Sequence, residues 1–183
     1  MKEENAGRPV ESKAQLEELS KAELVDLIRL YSKLFLAVDA FWYLAVREKV
    51  DEDTATACDI WVWEKYTPYE LKRLMPLRNI KGSDLEAFAT ALGFSPWFAN
   101  LKYRLTREGE NRLTFTVLEC PTLEALKREG SGRENVICRQ VDPKLFQIMI
   151  QCFNPRGKAT PVELPPQTNG KSICCRWQFS IEE

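Results

Sequence analysis

Histidine is absent from the 183-residue sequence, and its absence removes several classes of active site. Without histidine there is no Ser–His or Cys–His pair, no imidazole general base and no histidine-ligated metal site. A ferritin-like di-metal centre is excluded too, because its Glu-x-x-His motifs need histidine. The groups left for chemistry are six cysteines, the carboxylates, lysine and tyrosine.

The sequence also lacks an excess of positive charge and a glycine-rich phosphate loop. Lysine and arginine number 26 against 27 acidic residues, so the formal net charge is −1. Proteins that bind nucleic-acid phosphates usually carry a basic surplus, so we expect no nucleic-acid partner. No Rossmann fingerprint occurs, so no nucleotide cofactor is indicated.

Long apolar runs are missing as well. Residues 1–23 are polar and charged, without the apolar core of a signal peptide. The longest apolar stretch, residues 34–46, is interrupted by Asp39 and is too short to cross a bilayer. We therefore expect a cytoplasmic protein with no membrane partner, in which cysteines are more often thiols, metal ligands or redox groups than structural disulfides.

The N-terminal half carries the signals of helices. Residues 1–13 are expected to form a flexible tail, and residues 14–98 a helical region. Capping boxes of the type Ser/Thr-x-x-Glu predict helix starts at Ser20, Thr67 and Ser83. The first helix is predicted to end near Lys49, and the apolar segment 53–66 is interpreted as a separate buried helix, with a strand as the alternative.

From residue 99 onward the apolar residues alternate, which is typical of strands. Two alternating segments flank turn-forming residues 107–111 and predict a β-hairpin. Further elements are predicted at 122–129 and 142–153 as helices, and at 158–164 and 173–181 as strands. We therefore predict an α+β protein in which the helical N-terminal half packs on a small antiparallel sheet with two helices, and region 99–183 shares one core with region 14–98.

Three of the six cysteines are predicted to converge. No CxxC pair occurs, so a zinc finger or ribbon is excluded. Cys120 follows a strand, Cys138 lies in a predicted loop before a helix, and Cys175 lies on the apolar face of the last strand, with Cys174 on the opposite face. Asp142, which is also explained as a helix N-cap, can complete the set.

This cysteine set has three interpretations. Three thiolates with a carboxylate suit zinc or iron as a cofactor. Without a metal, a thiol of low pKa near a helix N-terminus would be a nucleophile. Free cysteines also often only pack in a core, and this alternative remains open.

Two carboxylates lie among aromatic residues of the helical half. Asp39 shares a helix face with Trp42, and Asp59 shares one with Trp63. A lone carboxylate on an apolar face is costly, so these four candidate ligand-binding residues could bind a cationic or amino group, or supply an acid and a base. The alternative is that each carboxylate only fixes packing through an indole N–H or an arginine.

The cysteine pattern resembles that of the L-2-amino-thiazoline-4-carboxylic acid hydrolase family. The matching residues are the Cys-Pro pair at Cys120, Cys138 with Asp142, and Gly170 with Cys175 in the last strand. The resemblance covers roughly the second half of the chain and implies hydrolysis of C–N or C–S bonds. It implies that the three cysteines ligate a metal or supply the thiolate, with Asp142 as ligand or base.

Over its whole length the chain resembles an uncharacterised cytosolic protein family of anaerobic prokaryotes. Its elements L-A-x-D-x-x-W and F-S-P-W-F-A match residues 36–42 and 94–99. The hypothesis from sequence is a small-molecule or metal-binding protein with a cysteine-cluster site, hydrolase-like if it is an enzyme. The alternative is a non-enzymatic sensor or interaction module whose cysteines hold a structural metal or only pack.

Overall fold

The structure is a computed structural model that describes residues 12–166 and 173–182. Its N-terminal half is helical, as predicted. The helices are α1 (Ser12–Glu17), α2 (Lys21–Lys49), α3 (Glu52–Leu77) and α4 (Leu85–Leu92). The predicted tail, residues 1–13, lies outside the described residues except for Ser12 and Lys13, which begin α1.

The second half consists of a four-stranded antiparallel sheet and the helices that accompany it. Its elements are a 3₁₀ turn (Phe98–Asn100), β1 (Lys102–Arg107), β2 (Arg112–Glu119), α5 (Pro121–Glu129), α6 (Glu134–Val136), a π-helical turn (Ile137–Val141), α7 (Asp142–Phe153), β3 (Gly157–Glu163) and β4 (Cys175–Ile181). The strand order is β1-β2-β4-β3, and every pair is antiparallel. The predicted α+β class is confirmed.

The start of α2 follows from a capping box that the sequence announces. The Glu23 N–H donates to the Ser20 hydroxyl at 3.3 Å, and the Ser20 N–H donates to the Glu23 carboxylate at 2.8 Å. These two bonds satisfy backbone donors that the first helical turn otherwise leaves unpaired. The predicted start near Ser20 and end near Lys49 are therefore confirmed.

The predicted division of residues 53–77 into two helices is wrong, because α3 runs unbroken through Pro68. Proline in a helix interior costs about 3 kcal/mol, since it removes a hydrogen bond and crowds the preceding turn. The buried face of α3 continues across the proline from Trp63 through Thr67 to Leu71. Packing of this face on both sides of Pro68 offsets the local cost.

The N-cap of α4 is Asp84 and not the predicted Ser83. The Asp84 carboxylate accepts the N–H groups of Glu86 at 3.1 Å and Ala87 at 2.8 Å. A carboxylate at this position also interacts favourably with the positive end of the helix dipole. The helix ends before Gly93, as predicted.

Replacing the cap should therefore distinguish these two adjacent residues. We expect Asp84→Ala to lower the free energy of unfolding by about 1 kcal/mol, because two N–H groups lose their acceptor. Ser83→Ala is the matched control and should change it by only a few tenths of that amount. Chemical denaturation of both variants measures the difference; equal effects would contradict this cap assignment.

The core between α7 and the sheet is an aromatic cluster centred on Phe146. Its ring lies 4.5 Å from that of Trp177, 5.8 Å from Phe115 and 5.6 Å from Phe179, measured between centroids. These side chains are fully buried in a hydrophobic cluster that also includes residues of α3 and α4. The strands contribute alternate residues, so the inward face of β4 is the predicted one.

Candidate functional site

Four cysteines from distant parts of the chain line one small cavity. The cavity measures about 20 Å³, and its polar lining consists of Cys120, Cys138, Cys174, Cys175 and Asp142. Cys120 lies between β2 and α5, Cys138 lies in the π-helical turn, and Cys175 begins β4. The structure thus brings together the three cysteines and the aspartate singled out from sequence.

Cys138 and Asp142 lie on one continuous helical stretch, which corrects two predictions. Cys138 is in the π-helical turn and not in a loop, and the turn runs directly into α7. Asp142 is the first residue of α7, and its side chain does not cap the helix. The carbonyl groups of the preceding π-helical turn already accept the first backbone N–H groups of α7. The Asp142 carboxyl instead interacts with the Cys138 thiol, which lowers the Asp142 pKa against the larger effect of burial.

Cys174 lies just before the last strand, so it is outside the strand alternation from which Cys174 and Cys175 were predicted to face opposite sides. β4 begins at Cys175, so strand alternation does not extend to Cys174. The Cys174 backbone N–H donates to the Val117 carbonyl at 2.8 Å, and its thiol donates to the Leu118 carbonyl at 3.4 Å. Both residues line the same cavity.

Burial keeps these thiols protonated. It raises the pKa of Cys120 to about 11, although the Leu123 N–H donates to this sulfur and favours the thiolate. Burial, and then the charge of Asp142, raise the pKa of Cys138 and Cys175 well above their usual range. At neutral pH the cluster is a group of neutral thiols, the opposite of the low-pKa nucleophile considered from sequence.

The thiol cluster does not show the geometry of a metal centre. Within the described residues, no three or more Cys, Asp or Glu side chains are arranged to hold a metal ion. The cavity is no larger than about one water molecule, and apolar side chains, including Val117 and Phe146, form much of its wall. Zinc or iron therefore stays a prediction from sequence.

Asp142 also belongs to a second, larger cavity that holds three carboxyl groups. This central cavity measures about 490 Å³, and Asp39 of α2, Asp59 of α3 and Asp142 of α7 all line it. Trp63, Trp97 and Tyr43 form part of its wall. The central cavity is large enough for a small organic ligand, and Asp142 separates it from the thiol cluster.

All three carboxyl groups have pKa values shifted towards neutrality. Burial raises the pKa of Asp39 to about 6. Burial, followed by the charge of Asp39, raises the pKa of Asp59 to about 7, while the Trp63 indole N–H favours the ionised form. Burial and the charge of Asp59 raise the pKa of Asp142 to about 7, against the Cys138 hydrogen bond. All three carboxyls therefore change between the protonated and the ionised form near neutral pH.

Three basic residues also line the cavity, but only Arg133 among them is buried enough to balance these acids from inside. Arg133, whose side chain is 10% exposed, is paired with Glu129, its Nε donating at 3.1 Å, and lies 4.8 Å from the Tyr43 ring centroid. Arg29 and Lys33 are exposed at the mouth, and Arg29 pairs with Asp26 at 3.4 Å. Throughout the described part of the chain, no ion pair joins a lysine or arginine to Asp39, Asp59 or Asp142.

The candidate ligand-binding residues divide between the central cavity and an outer groove. Asp39, Asp59 and Trp63 line both, whereas Trp42 lines only the groove of about 440 Å³ between α2 and α3. Trp42 is 70% exposed. Sequence reasoning missed Arg133 and Tyr43; Tyr43 lies four residues after Asp39 on α2, a spacing that could have indicated it.

Comparison with protein families covers nearly all of these elements. The model of a family of unknown function (DUF6125) matches residues 16–181. The chain belongs to this family. No curated protein and no solved structure matches the chain. The match confirms the prediction that the chain belongs to an uncharacterised family. The matched residues include the lining of both cavities, and the family model assigns no activity to them.

In residues 12–166 and 173–182, none of the helices combines the length and apolar character needed to cross a bilayer.

Gly170, part of the resemblance to thiazoline hydrolases, lies outside the described residues.

Proposed function

We propose that this protein binds a small organic cation, an amine or guanidine compound, in the central cavity, with Asp59 and Asp142 holding the charged group. The observation that carries the proposal is the imbalance of charge. Three carboxyls line one cavity, while its buried guanidinium, Arg133, is already held by Glu129. A cationic ligand would supply the missing charge.

Ionising neighbouring buried acids is costly, and a bound cation lowers that cost. Burial is the main reason that the pKa values of Asp59 and Asp142 rise, and the charge of a neighbouring carboxylate raises each of them further. A cation between the two carboxylates favours their ionised forms, because opposite charges attract more strongly at a buried site than in bulk water. Trp63 and Trp97 supply aromatic surface, which also attracts cations.

A second candidate function is hydrolysis of a C–N or C–S bond, with Asp142 as general base. It is favoured by the position of Asp142, which lines both the central cavity and the cavity of the thiol cluster and interacts with Cys138. A carboxyl with a pKa near 7 can take a proton from water at neutral pH. In this proposal Cys138 positions Asp142, and the resemblance to thiazoline hydrolases gives the substrate class, cyclic thio- or amino-carboxylates.

Binding is tested by titration calorimetry with matched cationic and neutral probes. Benzylamine, agmatine and tetramethylammonium are compared with neutral counterparts such as benzyl alcohol at pH about 8, where the carboxyls are ionised. We expect at least one cation to bind and its neutral counterpart not to. Asp59→Asn and Asp142→Asn should each weaken binding at least about tenfold, the loss of one charge-assisted contact.

The control variant is Asp26→Asn, which removes a carboxylate of α2 outside the cavity. It should bind like the unaltered protein. Affinity should also fall between pH about 8 and about 5 as the carboxyls take up protons. If no cation binds better than its neutral counterpart, or if neither cavity variant changes the affinity, the binding proposal is wrong. Turnover of a cyclic thio- or amino-carboxylate that Asp142→Asn abolishes would favour the hydrolase.

A further inference from the structure

The outer face of the α2–α3 hairpin carries a continuous apolar surface, named here the hairpin face. Exposed residues Ile28, Tyr31, Val38 and Trp42 of α2 and Val62 and Tyr69 of α3 form it. Half-buried Phe35 of α2 and Tyr66 of α3 lie between them, 5.2 Å apart at their ring centroids. The outer groove runs along its centre.

The spacing of these residues is that of a helix-packing seam. On α2 the positions 28, 31, 35, 38 and 42 repeat every three and four residues. On α3 the positions 55, 58, 62, 66, 69 and 73 lie on one side of the helix with a similar spacing. A three–four repeat places side chains along one stripe, where they pack between those of another helix.

The area of the hairpin face is larger than an isolated protein usually exposes. Its six exposed side chains present roughly 700 Å², counting roughly 150–250 Å² for a fully exposed aromatic side chain. The largest apolar patch of a typical monomer is about 300–600 Å². A stable interface buries about 800 Å² from each partner, so the face has the size of one half of a dimer interface.

Charge and size along α3 are complementary to a reversed copy of the same helix. A two-fold axis through Val62 places Asp51 of one copy opposite Arg73 of the other, because both lie eleven residues from it. Both side chains are exposed; Asp51 caps α3, and Arg73 stacks over the Tyr69 ring at 3.3 Å. The same axis sets the small, exposed Cys58 opposite the larger, half-buried Tyr66.

We propose that two copies of this chain associate through the hairpin face, with their α3 helices antiparallel about a two-fold axis through Val62. The four helices of the two hairpins then form a bundle that buries Trp42 and closes the outer groove. This contact is isologous, so the same surface serves both copies and the assembly stops at two. It does not depend on what the central cavity binds.

Sedimentation velocity over about 1 to 100 µM tests the association, since interfaces of this size have dissociation constants from µM to pM. We expect a dimer of the 21.2 kDa chain. Val62→Glu should produce a monomer, because it brings two like charges together at the axis. Val162→Glu, at an exposed apolar residue of the edge strand β3, is the matched control and should remain dimeric.

A crosslink checks the register without disturbing the fold. Val62→Cys, in a background with Cys58→Ser and Cys152→Ser, should form a disulfide between copies on air oxidation, because a residue on the axis adjoins its own counterpart. Val162→Cys in the same background should not. Three results would each overturn the proposal. The protein could be monomeric at about 100 µM. The Val62→Glu variant could stay dimeric with a native circular dichroism spectrum, or the Val62→Cys crosslink could fail to form.

Discussion

Raising the pH from about 5 to about 8 is expected to lower the free energy of unfolding, by on the order of 3 kcal/mol. The pKa values of Asp59 and Asp142 are raised to about 7, and that of Asp39 to about 6. Burial also raises the pKa of Glu70. The folded state therefore holds protons in this range that the unfolded chain has already released.

The sign follows from proton binding in the two states. A carboxyl whose pKa is raised on folding favours the folded state fully below its unfolded pKa, near 4, and loses that contribution as the pH passes its folded pKa. No histidine titrates in this window, because the chain has none. Glu129, whose pKa is lowered to about 2 by Arg133, is ionised in both states throughout it. The buried acids therefore dominate the pH dependence.

Thermal or urea unfolding at several pH values, at one protein concentration, measures this effect. Asp142→Asn removes one of the coupled charges, so it should stabilise the protein at pH about 8 and reduce the slope. Asp26→Asn again serves as the control and should keep the slope of the unaltered protein. A stability that rises from pH about 5 to about 8, or an unchanged slope in Asp142→Asn, would contradict the buried-carboxyl account.

The thiol cluster should react with alkylating reagents far more slowly than Cys58, when both are compared in the Val62→Glu variant, where no second copy covers the exposed Cys58. At pH about 7.5 we expect iodoacetamide to label Cys58 at least roughly 100-fold faster than Cys120, Cys138 or Cys175. The reason is that the thiolate is the reacting form and burial raises the pKa of all three thiols. Peptide mapping by mass spectrometry after timed labelling measures each rate.

Labelling in denaturant gives the control for intrinsic reactivity. There all six cysteines should react at similar rates, because the unfolded chain exposes them alike. Fast labelling of Cys120 or Cys138 in the folded protein would instead indicate an activated thiol, and the nucleophile hypothesis would regain its support. Slow labelling leaves the cysteines as packing residues that position Asp142.

The sequence pointed to residues that lie together in the structure, but it did not indicate the protonation states of their thiols and carboxyls. Asp39 and Asp59 were recognisable because a carboxylate on an apolar helix face is costly and needs a reason. Their pairing with Asp142 could not be predicted, because it depends on how α2 and α3 sit over α7. Arg133 gave no local signal either, since its role beside Tyr43 arises only from the packing of α6 against the hairpin.

Local chemistry in the sequence determined the helix and strand boundaries wherever one residue type satisfies a backbone need, as Ser20 does at α2 and Gly130 at the end of α5. Tertiary packing decided the rest. It keeps α3 continuous through Pro68. It also joins the π-helical turn directly to α7, so the Asp142 side chain is not needed as a helix cap. Burial then set the protonation of thiols and carboxyls, because the cost of a charge depends on the water that the whole fold excludes.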